Sequence, residues 1–188
     1  MQNKLVNIIY HIGESRKVYI NRINIKGNVR TSDTVIRREF RLAEGDPYNS
    51  TKITRSEKRI NDLDYFEPTN IETTRTEKED KVDLNIEVQE KSTSSINFAA
   101  GYDTSVGPVG KIGFNETNLL GKGQQLSVSV ARARKSLDLG LSFTEPYMWG
   151  RPLIGGFDIF TSSVERDNRQ YRPFDKKQKA YRCDLVMI

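Results

Sequence analysis

The sequence predicts an α+β unit of order β-α-α-β-β, followed by antiparallel β strands of an incomplete transmembrane β-barrel. Three observations carry this. Apolar residues fall at helical spacing only between Thr31 and Leu63, flanked by alternating segments on both sides. From Ser94 onward, six alternating segments follow with no helical pattern among them, most near the roughly nine to eleven residues that a tilted membrane strand needs. Finally, no run of 18 apolar residues exists, so a membrane-spanning helix is excluded. A mean hydropathy of −0.64 and an apolar fraction of 36% do not exclude a barrel, because only every second residue of its strands meets lipid.

Element by element, Val6, Ile8, Tyr10 and Ile12 alternate like the last strand of some preceding unit, so residues 1–15 are expected to be its tail. "VYINRINIKG" (18–27) reads as a strand with Tyr19, Ile23 and Ile25 on one side, stopping at the turn signal Gly27-Asn28. Thr31 or Ser32 then suits a helix N-cap, with Ile36 and Phe40 on one face and Gly45-Asp46-Pro47 as the end. Ser50 to Leu63 forms a second helix, because Ile53, Ile60 and Leu63 share a stripe. Ile71 and Thr73 open one strand, Val82, Leu84, Ile86 and Val88 alternate in another, and the charged "TEKEDK" lies between them. One apolar sheet face covered by two helices completes the unit.

The later segments are "SSINFAAGYD", "KIGFNE", "QQLSVSVARAR", "LDLGLSFT", "LIGGFDIFTSS" and "KAYRCDLVMI". In the third and fourth, Val128, Val130, Leu137, Leu139, Leu141 and Phe143 form one file, while Ser127, Ser129, Asp138, Gly140, Ser142 and Thr144 form the other. The expected reading places the first file against hydrocarbon and the second toward the barrel interior. With the α+β unit in the periplasm, "TSVGPVG", "KS" and "VERDNRQYRPFDKKQ" become external loops, and "TNLLGKG" and "EPYMWGRP" periplasmic turns. Tyr147 and Trp149 then sit at a membrane boundary, where amphipathic rings are enriched. Arg132 and Arg134 share the lipid-facing parity. At the midplane each would cost about 2–4 kcal/mol, but near an interface only about 0–1, and the layout puts both at the outer end.

The formal charge of +5 is local: Glu165 to Arg182 holds seven basic and three acidic residues. A nucleic-acid binder would spread its basic face over the domain, so no nucleic-acid partner is expected. Cys183 is the only cysteine and His11 the only histidine, so neither an intrachain disulfide nor a Cys/His metal set can form. No glycine-rich phosphate loop is present. No enzyme activity, catalytic residue, metal or cofactor is expected.

"YINRINIKGNVRTSDTVIRREFRLAEGDPY", "RINDLDYFE" and "VDLNIEVQEK" together resemble the last POTRA domain of the BamA family of outer-membrane protein insertases. "INFAAGYD", "FNETNLLGKGQQL" and "LSFTEPYM" are similar to the start of that family's barrel, where N-x-L-G-x-G marks the first periplasmic turn. The resemblance implies a tail of a preceding POTRA domain in 1–15, a POTRA domain in 16–91 and the N-terminal part of an outer-membrane barrel in 92–188. Because the closing strands and the family's late V-R-G-F/Y motif are absent, the segment alone is expected to be inactive.

The same resemblance implies the function: insertion of β-barrel proteins into the outer membrane, with nascent β-barrel clients, periplasmic lipoprotein subunits and the lipid bilayer as partners. The first barrel strand would be a lateral gate, through Ser95, Ile96, Asn97, Phe98, Ala99, Ala100, Gly101 and Tyr102. Its small residues Ala99, Ala100 and Gly101 favour a weak edge that templates an incoming strand. Arg37, Arg38, Arg41 and Glu44 match positions that dock a lipoprotein in the family. Val82, Leu84, Ile86 and Val88 are expected to form an edge that accepts extended client peptides. Two alternatives stay open: a related POTRA-barrel translocation pore or autotransport assembly factor, and a soluble β-rich binding module.

Overall fold

The computed structural model describes residues 16–104, 107–134, 136–164 and 176–187. The expected tail in residues 1–15, Lys135 of the "KS" connection and most of the long basic loop lie outside the described residues.

The first unit runs β1 (Tyr19–Lys26), α1 (Asp33–Arg37), α2 (Ser50–Asp62), β2 (Ile71–Arg75) and β3 (Lys81–Glu87). Its sheet has the order β1-β3-β2, with β1 parallel and β2 antiparallel to β3. The core gathers Ile20, Ile23, Val35, Ile36, Ile53, Ile60, Tyr65, Phe66, Ile71, Leu84 and Ile86 between this sheet and the two helices. α2 starts where Asn49 Oδ1 accepts the Lys52 amide at 3.0 Å, supplying one orphan N–H of the first turn with an acceptor. Its Ile53 and Ile60 are buried as their spacing predicts.

The structure corrects three expectations here. A shift of register between Ile20 and Arg22 makes a bulge in β1. Ile20 therefore joins Ile23 in the core, and Tyr19, read from strict alternation as their companion, stays outside. α1 ends at Arg37, well short of Gly45. The amides of Glu39 and Phe40 reach back only three residues, to Ile36 and Arg37, so the chain tightens and leaves the helix. The Arg41 amide then bonds the buried Ser56 hydroxyl at 2.8 Å, and Leu42 enters the core. Ser32 occupies the N-cap by position alone, since its side chain makes no capping bond.

The third correction concerns a proposed site. Val82, Leu84 and Ile86 lie on β3, with Val88 just beyond it, and β3 is the central strand, hydrogen-bonded on both sides. All four side chains are buried. These residues form the middle of the sheet and cannot serve as an edge for a client peptide. The sheet's edges are β1 and β2.

The second half forms one antiparallel sheet in sequence order: β4 (Ser94–Asp103), β5 (Gly107–Leu119), β6 (Gln124–Ala133), β7 (Ser136–Glu145), β8 (Leu153–Val164) and β9 (Lys176–Met187). Only β5 departs much from expectation, extending beyond "KIGFNE" at both ends. Register places Ile96, Phe114, Val128, Leu141 and Ile159 in one cross-strand row, and Phe98, Ile112, Val130 and Leu139 in the next. On the opposite face Ser95, Asn115, Ser127, Ser142 and Asp158 form a polar row, with Ser127 Oγ 2.6 Å from Asn115 Oδ1. The two files read from the sequence are thus the two faces of this sheet.

Candidate functional site

Two features compose the site: the edge of β4, and the seam that fixes the barrel strands to the POTRA-like unit. β4 pairs only with β5 among the described strands, through a ten-pair ladder from Ser94-Glu116 to Asp103-Gly107. Ser95 to Tyr102 therefore all lie on one strand with one edge unpaired, and all are exposed. Near the outer end the ladder is poor in donors and in bulk. Tyr102 faces Pro108, which lacks an N–H, and Ala100 faces Gly110.

At the opposite end, the turn between β5 and β6 docks on the first unit. Asn118 is 9% exposed, and its side chain works in two directions. Its Nδ2 donates to the Thr31 hydroxyl at 2.9 Å, while its Oδ1 accepts the Gly123 amide at 2.8 Å. The Ser32 amide donates to the Gly121 carbonyl at 2.8 Å, and the Tyr65 hydroxyl donates to the Thr117 carbonyl at 2.9 Å. Two glycines make this approach possible. Gly121 has φ +70°, and a Cβ there would stand 1.9 Å from the Arg30 carbonyl oxygen. Gly123 has φ +72°, and a Cβ would stand 2.4 Å from the Arg38 guanidinium. The N-x-L-G-x-G pattern is a docking surface as well as a turn.

The next turn on the same side adds a second contact. The Arg38 guanidinium lies over the Tyr147 ring, 4.1 Å from its centroid. Arg59 reaches the Tyr147 hydroxyl at 3.4 Å and binds the buried Glu39 carboxylate at 2.6 and 2.9 Å. The bond to Glu39 is the main reason the Arg59 guanidinium is held above its ordinary pKa, against the opposing effect of burial.

Glu90 stiffens the loop that carries Thr31. Its carboxylate accepts the Thr31 amide at 2.6 Å and the Arg30 amide at 3.0 Å. Burial opposes its ionisation, but the bonds from Thr31 and Arg30 outweigh that and hold the carboxyl below its ordinary range. Between these residues lies a cavity of about 330 Å³, walled by Arg30, Thr31, Tyr65, Glu90, Glu116 and Asn118.

Of the four residues expected to dock a lipoprotein, three remain outward. Arg37 pairs with Asp33 at 2.5 Å and Glu44 at 3.5 Å, and also donates to the Ile23 carbonyl at 2.9 Å. Glu44 accepts the Ile23 amide at 3.1 Å, so this pair clasps β1 while staying half exposed. Arg41 is exposed. Arg38 leaves the set: its side chain is 14% exposed and occupied in the seam. Sequence reading missed the seam altogether. Its signal was the pair of glycines flanking Lys122 after Asn118, since two such residues in one turn mark a close backbone approach.

Comparison with known proteins agrees with this geometry. Residues 18–91 match the POTRA family, described as a surface antigen variable number repeat, and residues 118–187 match the Omp85 superfamily domain. The outer membrane protein assembly factor BamA of Neisseria meningitidis serogroup B is 36% identical over 165 residues, covering 87% of this chain and 21% of that protein. BamA of Nitratidesulfovibrio vulgaris is 36% identical over 163 residues, covering 86% and 20%. The chain spans about a fifth of the length of these curated relatives. Among solved structures, BamA from Haemophilus ducreyi lacking POTRA domains 1–3 matches with a TM-score of 0.79 at 27% identity, over 91% of this chain and 32% of that one. CdiB from Acinetobacter baumannii matches at 0.56 and 17% identity, over 80% and 30%, which shows a shared fold alone. Residues 18–91 thus match a POTRA domain and residues 118–187 the Omp85 superfamily domain, and the chain is similar throughout to the POTRA-to-barrel segment of BamA proteins.

Proposed function

We propose that this segment belongs to an outer-membrane machine that assembles β-barrel proteins and inserts them into the bilayer, its POTRA domain in the periplasm and its strands in the membrane. The division of labour follows the chain: residues 16–91 form the POTRA domain and 92–188 begin the barrel. β4 acts as the lateral gate, where an incoming client strand pairs with the free N–H and C=O groups from Ser95 to Tyr102. The observation that carries this reading is the exposed, small-residue strand β4, which pairs only with β5 among the described strands, in a sheet tied to the POTRA domain at its periplasmic turns. A client handed over by the POTRA domain would meet that edge at a set position.

The test is site-specific crosslinking in the full-length protein. Photoreactive residues at Asn97 or Gly101 are expected to capture a nascent barrel protein, and probes at Asn115 on the already paired β5 are not. Equal capture at all three positions would remove the gate. Lipoprotein docking through Arg37, Arg41 and Glu44 is a second part of the proposal, supported by the half-exposed clasp of Arg37 and Glu44 on β1 and by the exposure of Arg41. Glu44→Lys is expected to abolish lipoprotein co-purification, and unchanged recovery would remove that part.

A further inference from the structure

Outside the gate and seam, the lipid-facing side of β4, β5 and β6 carries a cation and a trough that neither feature uses. Arg132 shares its file with Val128 and Val130, one residue from the outer end of β6. Asp138, the acid nearest in register, pairs with Ala131 and so belongs to the interior file. Its backbone is paired in the ladders with β5 and β7, but the Arg132 side chain makes no ion pair or hydrogen bond with the described residues. A guanidinium in that position is left to find an anion in the membrane itself.

Beside it lies a trough of about 520 Å³, lined mainly by apolar atoms, among them those of Phe98, Ala100, Gly110, Ile112 and Val130, with Arg132 at one end; Lys111 also touches the lining, but its register partner Ala131 puts it on the interior file. Register explains its shape. Ala100, Gly110 and Arg132 form one cross-strand row, so the two positions beside the arginine have almost no side chain. The next row toward mid-membrane is Phe98, Ile112 and Val130, which supplies apolar walls. Gly110 is not demanded by its surroundings. It lacks the left-handed φ of the turn glycines, and a Cβ there would meet nothing within 4 Å. What its missing side chain provides is the open trough.

We infer that Arg132 and this trough form a binding site for one anionic, phosphate-bearing membrane lipid beside the gate strand. The planar guanidinium fork receives the phosphate bidentately near the outer surface, and an acyl chain lies over Ala100 and Gly110 toward the membrane interior. A free phosphate would leave the trough empty, and an uncharged lipid would leave Arg132 unpaired. The site goes beyond the insertase reading and does not depend on it.

Native mass spectrometry of the full-length protein, taken from nanodiscs holding equal phosphatidylglycerol and phosphatidylcholine with matched chains, tests this. The wild-type protein is expected to retain phosphatidylglycerol over phosphatidylcholine by roughly five-fold, the scale of one screened charge-assisted contact. Arg132→Gln is expected to erase that preference. Gly110→Leu fills the trough without a clash and is expected to lower retention of both lipids, and Arg151→Gln, at the periplasmic end, to change neither. Circular dichroism of each variant confirms that the strands persist. A preference unchanged in Arg132→Gln, or full retention in Gly110→Leu, would overturn the site.

Discussion

Strands β3 and β4 carry the same alternation of apolar and polar residues and meet opposite fates. Leu84 on β3 is 0% exposed, whereas Phe98 on β4 is 76% exposed and Tyr102 77%. What differs is the chain around them. Two helices precede β3 and cover its apolar face, and five further strands follow β4 with no α-helix among the described residues to cover any of them. Alternation therefore reports that a strand has an apolar face, and the supply of covering elements tells what that face meets. In one half the cover is protein; in the other it is lipid.

The sharpest way to break that contrast is the same truncation in both halves. Leu84→Ala opens a cavity in a packed core and is expected to cost about 2–5 kcal/mol in chemical unfolding of the POTRA domain. Leu141→Ala on the lipid face leaves no cavity, because acyl chains close around it, and is expected to cost about 2 kcal/mol in the reconstituted full-length protein, the transfer loss of its buried carbons without a cavity contribution. Equal losses would mean that both faces are packed against protein.

Charge insertion reverses the probe. Leu141 lies mid-strand between Val128 and Ile159, so Leu141→Arg is expected to cost about 2–4 kcal/mol in a bilayer. Thr73→Arg, at an exposed position of the POTRA strand β2, is expected to shift unfolding by less than about 0.5 kcal/mol. Folding free energies from urea titration in liposomes and in buffer would place the two side by side.

Where the halves meet, the expected effect is smaller. Asn118→Ala removes the bond to Thr31 and leaves the Gly123 amide without its acceptor, a loss of about 1–3 kcal/mol at the seam. Gly121→Ala acts by collision and by its left-handed backbone, and is expected to lift the turn off Arg30 without unfolding either half. Amide hydrogen exchange at Ser32 reads both, since that N–H donates across the seam to Gly121. Slow exchange in both variants would mean that the halves are held elsewhere.

Most of the fold was legible because it depends on local periodicity. α2, β3 and the strands from β4 onward follow from spacing alone. What was illegible depends on long-range contacts. The β1 bulge is invisible to a period-two reading, which continued the alternation through Arg22 and placed Tyr19 inside. The central position of β3 follows from pairing order, which alternation does not encode, and that error turned core residues into an expected peptide edge. Arg38 sits one residue from Arg37 in the same basic run and faces another way, because α1 ends between them and Tyr147 arrives from more than a hundred residues downstream. The gate residues, by contrast, share one strand as expected, since a single strand needs no distant information to be read.

The smallest expected effect is the pH response of the same junction, and it separates a seam that merely touches from one that is coupled to the POTRA core. Glu90 holds the Arg30 and Thr31 amides, and Thr31 in turn holds Asn118. Because its folded-state carboxyl lies below the ordinary value of 4.5, its contribution is full above that value and is lost as the pH falls through the depressed one. Lowering the pH from roughly 6 to roughly 3 is therefore expected to lower the protection of the Thr31 and Ser32 amides, measured against the intrinsic exchange rate at each pH, before the POTRA core unfolds. Glu90→Gln keeps the shape and one carbonyl acceptor but cannot titrate, so it is expected to start with faster exchange and to show a flatter pH dependence. If wild type and Glu90→Gln track each other across that range, other carboxylates set the acid response and the seam is not tied to the core through Glu90. If they differ near pH 6 and converge as the pH falls toward 3, one carboxylate links the segment that ends the POTRA domain to the turn that opens the barrel.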